Sequence, residues 1–287
     1  MTFTLFKLKV MRKLGLLRFL HPTMTVRHER GQFRIPIWGN TGFENIAALT
    51  TAEPWLDRIL ARVLEDRPGL IVDVGVNVGQ TLLKIKRLRP DQAYLGFEPN
   101  PSCCAYVERL IAVNGFKHCE LVPAALGREA GVFELFIRSD ADSGASLVKG
   151  FRDAKFYSAR KWVAVLHGDA VLRSVDAENI SLVKIDVEGG EVDVIEGLLE
   201  TLDRQRPAVV CEILPVPDRA SDVGRMCQER QDRQDRLLQL LRQRGYQLCR
   251  ILPDDARLQP LADIEPHNDL SRTNYLFVPP DRKHLIA

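Results

Sequence analysis

No two cysteines of this chain stand as C-x-x-C, and no histidines form H-x-x-H or H-E-x-x-H. Cysteine and histidine alone therefore define no zinc site. Cys103, Cys104, Cys119, Cys211, Cys227 and Cys249 read as free thiols, several of them buried in core strands. Aromatic residues are few, at 7%, and neither charge sign dominates, with 40 Lys and Arg against 38 Asp and Glu. A net charge of +2 excludes a dedicated nucleic-acid binder, which needs a clear basic excess for its phosphate contacts. Long apolar runs are missing too. Lys7, Lys9, Arg12, Lys13 and Arg18 interrupt the N-terminal stretch well short of the roughly 20 residues that span a bilayer. No clean apolar segment ends in a small-residue cleavage site, so the expected location is cytoplasmic.

What is present suffices for a sizeable core: 287 residues, 45% hydrophobic and 27% charged. The basic charge is local. Met1 to Arg34 holds eight Lys or Arg and one acid, Glu29, which sets residues 1–50 apart as a basic, partly helical extension before an α/β domain over 51–287. From Leu70 onward short apolar runs alternate with longer amphipathic stretches, the pattern of βαβ units and a mainly parallel sheet. Strands are predicted at Leu70 to Val74, Tyr94 to Phe97, Cys119 to Val122, Val132 to Ile137, Leu182 to Val187, Ala208 to Ile213, Gln247 to Ile251 and Tyr275 to Val278. Gly79 to Arg89 and the stripe Val192, Ile195, Leu198, Leu199 and Leu202 read as crossover helices. Ser139 to Tyr157 reads as a long loop that covers a site. Gln228 to Arg244 reads as a solvated helix laced with charge pairs.

The first predicted strand runs into DVGVNVGQ, Asp73 to Gln80, and then a helix. Such a turn brings backbone close to a ligand and aims helix N-terminal amides at it. Laid on Gly75, the dinucleotide pattern G-x-G-x-x-G meets Asn77 and Gln80 where its second and third glycines belong, and a phosphate-binding P-loop fails as well. An acid before the first glycine suits a ligand that carries positive charge and no pyrophosphate, as S-adenosyl-L-methionine does. Glu98 follows 25 positions after Asp73, at the end of the next strand, where a carboxylate can accept from both ribose hydroxyls. By itself that glutamate leaves NAD open.

The blocks DVGVNVGQT, FEPNP, PAALG and KIDVEGGEVDVIEG, then CEI and a late NYLFVP, resemble in order and interval the FkbM family of S-adenosylmethionine-dependent methyltransferases. The likeness covers about Asp73 to Pro279. KIDVEGGE is its most specific part, and the family more often has Ala where this chain has Gly190. The resemblance implies an α/β, Rossmann-like seven-stranded methyltransferase sheet, mainly parallel with the last strand antiparallel, flanked by helices. It also implies that Asp73, Gly75, Asn77 and Gly79 line the methionine end of the cofactor. Glu98 with Pro99 would hold the ribose, and Ala124 and Ala125 would approach the adenine.

Lys184, Asp186 and Glu188 alternate along a strand, which would point their side chains to one face. Charges there are costly unless used or paired. Methyl transfer is an in-line displacement that requires alignment and an activated acceptor. A carboxylate could take the proton of an acceptor hydroxyl, or several could hold a divalent ion that acidifies it; the metal-free base is the preferred reading. Asp186 is the first catalytic candidate, Glu188 the second and Glu212 the third, with Lys184 read as an ion pair supporting Asp186. Glu191 reads as a helix-dipole partner. His167 and His267 read as surface or loop residues, and Trp55 and Trp162 as core.

The expected activity is therefore O-methylation of a hydroxyl on a sugar, glycan or polyketide-type acceptor. The rivals are a non-catalytic nucleotide-binding interaction module and, less favoured, an NAD-dependent oxidoreductase. Phe3, Phe6, Val10, Leu14 and Leu17 form one helical stripe, with Lys9, Arg12 and Lys13 expected opposite. The stripe fits a docked helix, the preferred reading, or a peripheral anchor on anionic lipid at the inner face of the membrane.

Overall fold

A computed structural model describes residues 5–29, 31–216 and 224–286. The chain opens with helix α1 (Leu5–Lys13), the antiparallel hairpin β1 (Thr23–His28) and β2 (Gly31–Pro36), and helices α2 (Phe43–Thr50) and α3 (Pro54–Asp66). In α3 the residues Leu56, Ile59, Leu60, Val63 and Leu64 are buried. Their spacing of three and four is the stripe that covers a sheet. The alternating part follows: β3 (Leu70–Val74), α4 (Gln80–Leu88), β4 (Tyr94–Phe97), α5 (Pro101–Asn114) and β5 (Cys119–Val122). Helix α5 has Pro101 in its first turn, and the Asn100 side chain accepts from Ser102 N at 3.2 Å. Both are N-terminal signals readable in FEPNPS.

Three further strands come next: β6 (Ala125–Gly127), β7 (Gly131–Ile137) and β8 (Ala159–His167). The remainder is α6 (Gly168–Ser174), β9 (Ile180–Ile185), α7 (Glu191–Gly197), α8 (Leu199–Gln205), β10 (Ala208–Glu212), α9 (Gly224–Gln243), β11 (Gln247–Ile251), β12 (Leu258–Pro260) and β13 (Asn274–Val278).

The main sheet has the order β12-β11-β13-β10-β9-β3-β4-β5. Strands β10, β9, β3, β4 and β5 run parallel, and the last strand, β13, lies antiparallel between β10 and β11. This is the expected seven-stranded arrangement, with short β12 added at one edge. Residues Val132 to Ile137 are a strand, as expected, but they pair with β8 in a separate three-stranded sheet of order β6-β8-β7.

Apolar residues fill both faces of the main sheet. Along β3, Ile71 belongs to the cluster under α3, α4 and α5, whereas Val72 and Val74 belong to the cluster under α7, α8 and α9. That is the period-two division of a strand buried on both sides. Leu8, Leu17, Val26, Phe33, Ile35 and Leu49 from the first fifty residues share the former cluster, so the extension and the α/β sheet are packed through one core. Strand order reverses between β3 and β9, and the crevice outside their carboxyl ends is where open α/β sheets bind ligands.

Candidate active site

A cavity of about 560 Å³ opens at that reversal. Gly75, Val76 and Asn77 from the turn after β3, Glu98 and Pro99 after β4, and Asp186, Val187 and Glu188 after β9 line it. Glu212 and Asn274 border it from β10 and β13, and Ala52, Glu53, Trp55 and Leu56 from the chain entering α3. The small sheet adds an apolar wall of Phe133, Leu135 and Val165, with Leu126 of β6 also lining the cavity.

Gly75 is dictated by backbone. Its φ is +88°, and a Cβ there would lie 1.9 Å from the Asp186 carbonyl oxygen, because the turn rests directly on the end of β9. Asn77, also left-handed at φ +50°, presents its N–H to Glu98 Oε2 at 2.7 Å. Asn100 N donates to Glu98 Oε1 at 2.8 Å. Burial pushes the Glu98 carboxyl up to about 7 against the pull of these two hydrogen bonds. The carboxylate is thus fixed in orientation while each oxygen keeps one lone pair for a ligand.

Of the residues expected at the cofactor, Gly75, Asn77, Glu98, Pro99 and Ala125 face the cavity. Asp73, Gly79 and Ala124 stand behind its wall. Asp73 is fully buried; its Oδ2 accepts from Tyr94 OH at 2.8 Å and its Oδ1 lies 3.7 Å from Lys184 Nζ. Burial raises its pKa despite these partners. Asp73 therefore reaches the cavity through Lys184. Gly79 supplies the left-handed residue before α4, with Leu110 against it.

The three catalytic candidates do not form one row. Strand β9 ends at Ile185, and Glu188 takes φ +52°, which breaks the expected alternation. Lys184 and Asp186 do share a side, with Nζ 3.0 Å from Asp186 Oδ2. Glu188 turns to Arg152 of the loop after β7, at 2.6 Å. Glu212, the last residue of β10, hydrogen-bonds to Asp186 and accepts from Thr273 Oγ1 at 3.0 Å. Burial would raise the Asp186 pKa, but the Lys184 charge and the bond from Glu212 hold it below the usual carboxylate range. Glu212 is pushed up to about 8, by burial first and then by Asp186. The two carboxyls titrate as a pair, and the Lys184 ammonium beside Asp186 favours Asp186 as the ionised member. Among the described residues, no group of three or more His, Cys, Asp or Glu is arranged to hold a metal ion.

The loop over 139–157 covers the site, as its composition suggested. It places Asp142, Ser143, Ala145, Leu147 and Val148 on the cavity. Arg138 holds Asp142 at 2.8 Å, and Asn77 Nδ2 donates to Asp142 O at 3.2 Å. Ser146 Oγ donates to Glu188 O at 2.6 Å. A Cβ on Gly189 would strike the Phe151 ring at 2.4 Å, so the first glycine of the GG in KIDVEGGE is the seat of this loop. Arg230 of α9 stacks on the other side, 4.3 Å from the Phe151 centroid.

Glu191 is buried and accepts from Gly189 N at 2.8 Å, in line with a structural role. His167 and His267 line nothing in this cavity. Trp55 is buried and also lines it, whereas Trp162, expected in the core, is 66% exposed on the outer face of β8. Residues 52–56 carried no sequence signal beyond Trp55, which reads as core. They are set there by Lys84, whose buried ammonium donates to Ala52 O at 2.6 Å and Glu53 O at 3.1 Å and pairs with Asp57 at 3.2 Å.

An open sheet with an acidic, glycine-turned crevice at its strand-order reversal defines a Rossmann-like ligand-binding α/β protein. Within that class the chain belongs to the FkbM methyltransferase family, since the profile of the Methyltransferase FkbM domain matches residues 73–248. It is 28% identical over 156 residues to Methyltransferase sdnD of Sordaria araneosa, covering 45% of this chain and 60% of that protein. It is 29% identical over 161 residues to the 2-O-methyltransferase NoeI of Sinorhizobium fredii (strain NBRC 101917 / NGR234), covering 52% and 65%. The match thus spans somewhat under two thirds of these relatives. Among solved structures, the Methyltransferase FkbM from Methylobacillus flagellatus KT superposes with a TM-score of 0.46 at 13% identity, over 73% of this chain and 43% of that one.

Proposed function

We propose that this protein transfers a methyl group from S-adenosyl-L-methionine to a hydroxyl of a small-molecule or glycan acceptor, with Asp186 as the base. The observation that carries the reading is that Glu98 and Asp186 line the same cavity. The residues fit the cofactor. Glu98 keeps free lone pairs for two ribose hydroxyls, the Gly75 turn lines the cavity, and Leu126, Phe133, Leu135 and Val165 suit a purine. When bound, the cofactor supplies an electrophilic methyl on a sulfonium.

The chain's own work is alignment and proton transfer. A hydroxyl becomes strongly acidic only as its oxygen forms the new bond, so even a carboxylate of low pKa can receive its proton at that stage. Asp186 meets this need because Lys184 and Glu212 keep it ionised and oriented. Lys184 already neutralises part of its charge, which favours a proton acceptor over a cation ligand. Oxygen as the acceptor atom is supported by the printed activity of the NoeI relative, a 2-O-methyltransferase. Family membership favours sugar, glycan or polyketide hydroxyls as the class.

The test is labelled methyl transfer from S-adenosyl-L-methionine to a panel of hydroxylated glycans and polyketides, with product mass as readout. Calorimetric binding of S-adenosylhomocysteine comes first. Absence of that binding, with NAD bound instead, overturns the reading.

A further inference from the structure

The described residues of the N-terminal segment, 5–20, present two apolar sides, and only one is used by the fold. Leu8 and Leu17 are buried in the main core, with Met11 packed against it. Leu17 O accepts from Gly39 N at 3.1 Å, and the Arg12 guanidinium lies 5.0 Å over the Phe43 ring of α2. These contacts settle the segment on the protein. The expected stripe is divided: Leu17 lies on the buried side, whereas Phe6, Val10 and Leu14 are 75%, 41% and 66% exposed, and Phe3 lies outside the described residues. Leu16, Phe19 and Leu20 extend the same exposure, with Phe19 at 84%.

Such a concentration of bare apolar side chains is unusual on a folded surface and marks a place where something binds. Its charge says what. Residues 5–20 contain five Lys or Arg and no acid. Lys9 and Lys13 are exposed. At 100° per residue they fall beside Phe6 and Val10, where the sequence reading had them opposite. An apolar strip flanked by lysines matches an anionic lipid surface, in which aromatic and aliphatic groups enter the headgroup boundary and ammonium groups meet phosphates.

We infer that the outer side of α1 and the turn after it, through Phe6, Val10, Leu14, Phe19 and the flanking Lys9 and Lys13, docks this protein on an anionic bilayer surface. Among the described residues no helix is long and apolar enough to cross a membrane, so the contact is peripheral. The site is not remote from the cavity. Arg12 rests on the first residue of α2, and the chain leaving α2 supplies Ala52, Glu53, Trp55 and Leu56 to the cavity lining. The inference is independent of the reaction proposed above.

The experiment is cosedimentation of the full chain with vesicles of phosphatidylcholine alone and of phosphatidylcholine containing phosphatidylglycerol, at low and high salt. Binding is expected only to the anionic vesicles and only at low salt. Lys9→Gln with Lys13→Gln should weaken it about 25-fold, at about fivefold per removed charge. Phe6→Ser with Phe19→Ser should abolish sedimentation while leaving the melting temperature and S-adenosylhomocysteine affinity in place, because neither side chain is in the core. Three results overturn the inference: no binding to anionic vesicles, equal binding to both vesicle types, or a concentration-dependent dimer in solution that the Phe6 and Phe19 changes dissolve. The last would make a second copy the occupant.

Discussion

Lys184 Nζ stands 3.0 Å from Asp186 Oδ2 and 3.7 Å from Asp73 Oδ1, so one ammonium ties the end of β9 to the end of β3. The two strands meet at the crevice, and the Lys–Asp contact is what makes Asp186 anionic there. Burial alone would lower the Lys184 pKa, but Asp186 and Asp73 together raise it. The site thus carries a fixed cation behind and a fixed anion in front.

Asp186→Asn keeps the shape and the bond from Glu212 but removes the negative charge. Methyl transfer is expected to fall about 100-fold or more, the range of a lost general base. S-adenosylhomocysteine affinity should change by less than about threefold, since the ribose contact at Glu98 is untouched. Equal losses in turnover and in calorimetric affinity would place Asp186 on the cofactor instead.

The fold around this site was legible wherever the signal is local. Strands β3, β4, β5 and β11 begin and end where alternation and turn residues place them. The DVGVNVGQ turn announces itself because its glycines and Asn77 are needed by backbone angles, which are a property of a few consecutive residues. What depends on distant partners was not legible. Strand β8 joins β7 and β6 in a separate sheet, a pairing between segments distant in sequence. The direction of Glu188 follows from strand β9 stopping three residues earlier, with Arg152 waiting to receive the carboxylate. In α1 two apolar sides compete, and only the core decides that Leu8 turns inward and Phe6 outward.

Glu212 gives the protein a pH dependence. Its folded pKa, about 8, stands above its ordinary value of 4.5, so the folded state holds a proton that the unfolded chain has released. Its stabilising contribution is present below the unfolded value and is lost as pH rises through the folded one. Glu98 and Glu191, both pushed up to about 7 by burial, act with the same sign. The melting temperature is therefore expected to fall between about pH 5 and pH 9. Glu212→Gln, a permanent mimic of the protonated acid, should flatten the upper part of that fall. A wild-type melting temperature that rises over this range would contradict the assignment.

Gly75 and Gly115 offer a paired test of what glycine does. Both have positive φ, +88° and +62°, but a Cβ at Gly115 meets nothing within 4 Å while one at Gly75 strikes the Asp186 carbonyl. Gly115→Ala should cost only the left-handed penalty, about 1 kcal/mol. Gly75→Ala adds backbone displacement at the end of β9, for a total of about 3 kcal/mol. Urea unfolding measures both. Similar costs would mean that the β3 turn does not rest on β9 as described.

Glu98→Gln separates the ribose contact from the rest of the cavity. The carboxylate accepts from Asn77 N and Asn100 N, one on each oxygen, and its free lone pairs are the proposed ribose acceptors. A glutamine has one carbonyl oxygen, so its amide nitrogen would face a backbone N–H, donor against donor, and could no longer accept from a ribose hydroxyl. Loss of a hydrogen bond to a charged group corresponds to about 1.5–3 kcal/mol. S-adenosylhomocysteine affinity should thus fall by roughly 10- to 150-fold. A cycle makes the assignment specific. A 2′,3′-dideoxy analogue should bind the native protein more weakly than S-adenosylhomocysteine does, but the two ligands should bind the Glu98→Gln variant alike, because the partner of those hydroxyls is gone. If the deoxy changes cost the same affinity in both proteins, the ribose is held by another residue, and Glu98 serves only to fix the Asn77 turn.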